Sequence, residues 1–174
     1  MMKMTLTAAF GALILGTTAA YSHATLETKE STMNTNYKAV MRISHGCEGE
    51  ATLKVRVQIP EGVINVKPMP KAGWELATVE GDYAKTYEYY GERSSGVKEI
   101  VWTGELQDTH YDEFIFRARI TESWDEGDML YFPTVQECAN GTQDWVEIPA
   151  VGQDPHDLDG PAPGLMLKGA VHSH

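Results

Sequence analysis

Positive charge is scarce in this chain: 14 Lys and Arg stand against 25 Asp and Glu, for a formal net charge of −11. That balance excludes the electrostatic footprint of a nucleic-acid binder or of a protein held on anionic membranes, and it leaves a surface that attracts cations. Long apolar runs are missing as well. Nothing after residue 22 approaches the roughly 18 consecutive apolar residues of a membrane span, so the processed chain is not expected to cross a bilayer. There is no HExxH, no Gly-rich phosphate loop and no nucleophile triad, which removes the commonest signs of hydrolytic or phosphoryl-transfer chemistry. No window beyond residue 22 carries a 3.6-residue apolar period of helical length. Met33, Met41, Met69, Met129 and Met166 are scattered and offer no thioether cluster.

Residues 1–22, MMKMTLTAAFGALILGTTAAYS, have the three parts of a secretory signal: basic Lys3, the apolar stretch AAFGALILG, and small residues before a cut. Cleavage after Ser22 makes His23 the first residue of the mature protein, and a cut after Ala20 would instead expose Tyr21. An amino-terminal histidine offers its α-amine and imidazole Nδ1 to a single metal ion. With reference pKa values of about 7.7–8.0 and about 6.5, both shed protons near neutrality when a cation competes. Nitrogen donors favour Cu(II) among the divalent ions. Export places the mature chain in the periplasm or elsewhere outside the cytoplasm. There the only two cysteines, Cys47 and Cys138, are expected to form a disulfide, the alternative being two thiolates on a metal.

Ala51–Ile59 alternates apolar and polar residues, the mark of a strand with one buried face, and Pro60-Glu61-Gly62 ends it. Comparable runs fall at Tyr37–Ser44, Val63–Lys67, Trp74–Glu80, Tyr83–Tyr90, Lys98–Thr103, Glu113–Thr121, Met129–Gln136 and Gln143–Ile148, with glycine-bearing turns between them. This spacing predicts an all-β, immunoglobulin-like β-sandwich over residues 23–151 with one disulfide. Residues 152–174, rich in Gly, Pro and Asp, read as an extended or disordered tail. In Glu113–Ile120 the residues Phe114, Phe116, Ala118 and Ile120 form the core face, which turns Glu113 toward solvent or a site.

The runs HATLE, GCEGEATLKVRVQIPEGVINVKPMPKAGW, KEIVWTGEL, YDEFIFRARI, LYFPTVQECANGTQDWVEIP and GPAPGL occur in one order that resembles the YcnI-like family, also called the DUF1775 domain, over about residues 23–167. The resemblance implies an exported β-sandwich that binds one copper ion through a monohistidine brace. Carried over by motif, the ligands are His23 and Glu113, with Trp145 close by. The Cys47/Cys138 pair resembles the disulfide-containing subgroup.

Other candidates are weaker. His45, near Cys47, is a minor candidate ligand, and His110 a loop histidine. Glu27 lies about 13 Å along an extended chain from His23. Trp74, Trp102 and Trp124 suit packing, while His172 and His174 close a solvated tail. The function expected is non-enzymatic: copper trafficking, buffering or delivery, with a copper-receiving or membrane copper-transport protein as partner. The alternatives are a copper-dependent oxidoreductase, which would need a second histidine from His45 or His110, and a metal-free extracytoplasmic interaction module.

Overall fold

A computed structural model describes residues 23–170. The expected signal segment 1–22 and the histidines His172 and His174 lie outside the described residues. Strands β1 (Thr25–Leu26), β3 (Thr35–Ile43), β8 (Asp112–Ile120) and β5 (Val63–Pro68) form one sheet in that order. The facing sheet runs β11 (Thr142–Trp145), β10 (Thr134–Cys138), β4 (Thr52–Gln58), β7 (Glu92–Leu106) and β6 (Glu75–Glu88). A small third sheet joins β2 (Glu30–Thr32), β12 (Gly164–Lys168) and β9 (Met129–Tyr131). The protein is an all-β, immunoglobulin-like sandwich.

Period-two patterning explains the layers. On β8, Phe114, Phe116, Ala118 and Ile120 are buried, as their parity requires. On β4, Val55 and Val57 face the core, but Leu53 is exposed and Thr52 is buried in its place. The ladder to β7 shifts register between Thr52 and Lys54, and that irregularity swaps the faces at the strand's start. Fully buried Trp102 packs on Phe114 at 5.5 Å between ring centroids, with Trp74 on the same ring at 4.8 Å. Side chains of this size each contribute roughly 2–3 kcal/mol when removed from water.

Cys47 and Cys138 are bridged, with Cα atoms 6.1 Å apart across a sequence separation of 91. Closing so long a loop in the unfolded chain stabilises the fold by on the order of 4–5 kcal/mol in the chain-entropy picture. The bridge ties the segment after β3 to the end of β10, so it joins the two main sheets.

Three expectations from the sequence need correction. The runs expected at Trp74–Glu80 and Tyr83–Tyr90 merge into one strand, Glu75–Glu88, because Gly81 sits opposite Gly96 within the β6–β7 ladder and does not turn. Met129–Gln136 is two strands in different sheets, separated at Phe132-Pro133, where proline has no N–H for a ladder. The tail reading of 152–174 fails for the described residues. Leu165 and Leu167 are fully buried on β12, the middle strand of the third sheet, and Pro155–Asp157 forms a 3-10 turn.

Candidate metal centre

Trp145 ends β11 with its indole buried, and its Nε1 donates to Gln136 Oε1 at 3.1 Å. Gln136, itself 1% exposed, uses its amide nitrogen to donate to the His45 carbonyl at 2.6 Å and to Thr52 Oγ1 at 2.7 Å. Each polar group of this buried trio therefore has a partner, which is the condition for polar groups to rigidify a core. The outer surface of Trp145 receives His23. The two rings meet edge to face with centroids 5.5 Å apart and planes at 66°.

His23 lines two cavities, of about 240 and about 300 Å³. The smaller is walled by Ala24, Thr25, Leu26 and the Pro161–Gly164 segment, the larger by Asp157, Leu158 and Asp159. His156 lines both. Burial, and then the charge of His156, hold the His23 imidazole below its usual range, so more of it is neutral and open to a metal at a given pH.

Glu113 lies elsewhere on the same sheet. The register sets Thr25 opposite Arg42 and Arg42 opposite Glu113, so the backbones of Thr25 and Glu113 are two strand spacings, about 10 Å, apart. Arg42 stands between them. Its Nη2 donates to Glu27 at 2.8 Å and its Nε lies 3.8 Å from Glu113, while the Tyr111 hydroxyl donates to Glu113. Parity thus places Glu113 off the core face as expected, but its carboxylate is engaged by a cation and a phenol and does not line the His23 cavities. Glu27 likewise serves Arg42. The structure brings His23 and Trp145 together and leaves Glu113 to one side.

Neither His45 nor His110 lines those cavities. His45 Nδ1 is 2.6 Å from the Gly46 carbonyl, and His110 is exposed in the turn before β8, its N–H bonded to Gln107 O. Among the described residues, no three His, Cys, Asp or Glu side chains converge as a metal cage. Side chains alone therefore do not build the centre. The residues that share the His23 cavities include His156, Asp157 and Asp159, an imidazole and two carboxylates that with the His23 ring and an α-amine would suit Cu(II). The residue missed in the sequence is His156, hidden in a segment read as tail. Asp154-Pro155-His156, a cap residue followed by proline at a helical first turn, was the local signal.

Fold and site together define a β-sandwich class with a histidine-bearing cavity at the edge where its first strand begins. The sequence matches the family described as Domain of unknown function (DUF1775) over residues 23–167, and the chain belongs to that family. A solved structure of an uncharacterized protein from Nocardia farcinica, reported to have an immunoglobulin-like fold, is similar at 22% identity and a TM-score of 0.60. The match covers 84% of this chain and 98% of that one, and it supports the fold. Among curated proteins, none matches the chain.

Proposed function

We propose that the protein, exported and cut after Ser22, holds one Cu(II) through the α-amine and imidazole of His23 and carries, buffers or delivers it outside the cytoplasm. The observation that supports this most is the His23 ring seated against buried Trp145 at the mouth of cavities lined by further nitrogen and oxygen donors. A wall of buried indole on one side and open cavity on the other leaves an ion approachable by a partner's ligands, as transfer requires. The partner is a copper-receiving or membrane copper-transport protein. Cu(I) prefers softer donors than amine and carboxylate, so reduction by an external donor would favour release. Titrating Cu(II) into protein whose intact mass starts at His23 tests the reading. One equivalent bound, with a spectrum of nitrogen and oxygen ligation, is expected, and no stoichiometric uptake would overturn it.

Glu113 joins this site by exchanging Arg42 and Tyr111 for the ion. Glu113→Gln is therefore expected to weaken Cu(II) binding more than Glu27→Gln does. The metal-free proteins should melt within about 1 kcal/mol of wild type, because half-exposed ion pairs contribute little. Equal affinities for the two variants would remove Glu113 from the ligand set.

A further inference from the structure

We infer that His156 is a second imidazole ligand of the ion, so that the centre takes copper with three nitrogens, the His23 amine and the rings of His23 and His156. This rests on the copper reading of His23 and adds a ligand that reading does not contain.

Shared space is the first ground: both cavities lined by His23 are lined by His156. The second is that the segment carrying His156 is fastened at its base to the end of β11, beside Trp145. Glu147 N–H donates to Gly160 O at 2.9 Å, Ala162 N–H donates to Glu147 O at 2.8 Å, and Gly160 N–H reaches the Glu147 carboxylate at 2.6 Å. Gly160 comes so near the sheet that a Cβ there would lie 2.1 Å from Asp144 O, which only glycine permits. The third ground is local. Asp154 accepts the His156 N–H at 2.9 Å and, through its carbonyl, the Asp157 N–H at 3.0 Å, while Pro155 presets the turn. The tied turn thus holds His156 at the cavities whose walls it shares with His23.

Chemistry fits the placement. Two side-chain imidazoles fall short of a cage, in agreement with the absence of any three-residue group among the described residues, and the amine supplies the missing nitrogen. Asp157 and Asp159 line the larger cavity and offset the charge of a divalent ion there.

The test uses full-length processed protein beginning at His23, loaded with one equivalent of Cu(II), and counts imidazole ligands by pulsed EPR through their remote-nitrogen couplings. Wild type is expected to show two imidazoles. His156→Ala and His156→Gln should show one, bind Cu(II) on the order of tenfold or more weakly in chelator competition, and melt unchanged without metal. His172→Ala combined with His174→Ala should keep both couplings. A single imidazole in wild type, two couplings surviving in both His156 variants, or loss of the second coupling with the His172 and His174 changes would each overturn the inference while leaving the His23 chelate standing. Failure of wild type to bind copper at all would overturn both.

Discussion

A chain that stops at Val151 is expected not to fold. It lacks β12, whose Leu165 and Leu167 are fully buried and which pairs with β2 in parallel and with β9 antiparallel. Emptying one buried leucine site usually costs about 2–5 kcal/mol, and a whole domain is stable by only about 5–15 kcal/mol. Losing two such sites removes a large share of that margin. The deletion also leaves β2 and β9 without a common partner and removes the Phe132 N–H bond to Pro163 O. Near-ultraviolet circular dichroism and a thermal melt decide the matter: residues 23–151 should lack a cooperative transition, whereas residues 23–170 should retain one. A native-like melt of the shorter chain would show that β12 is an accessory strand.

Acetylating the His23 amine is expected to lower Cu(II) affinity on the order of a hundredfold or more, the scale of losing a donor worth a few kcal/mol. Acetylation turns the basic amine into an amide and supplies no new terminal amine to replace it. His23 keeps its ring and its contact with Trp145, so the fold and the metal-free melting temperature should not move. This separates the effect from a structural one. Chelator competition on chains beginning at His23 with a free and with an acetylated amine gives the comparison. Equal affinities would mean that the amine is not a ligand and would shift the site wholly onto side chains.

Much of the sandwich was legible because burial on one face writes itself as alternation. Val55 and Val57, or Phe114 and Phe116, repeat with the pleat and name their sheet face directly. What alternation does not encode is partnership. Met129–Gln136 looks like one strand, yet its halves pair in different sheets, and Gly81 looks like a turn although a facing glycine absorbs it in the ladder. The segment from Gly152 onward misled through composition. Its Gly and Pro content signals disorder when averaged, while the short alternation Leu165-Met166-Leu167 carries the burial. At the candidate centre, the structure sets the His23 ring against Trp145, two residues far apart in sequence that no local pattern pairs. The position of Arg42 beside Glu113 depended on a strand register that no local pattern reveals. His156 was lost together with the tail.

The buried Trp145–Gln136–Thr52 trio preorganises the surface on which the His23 ring rests. Its indole is oriented by the core, so the edge-to-face contact with His23 is made against a fixed partner. On the solvent side lie the segment at His23 and the 154–159 turn. Exchange rates would then be set by those two peripheral pieces, and substitutions in the turn would tune residence time without disturbing the sandwich behind it.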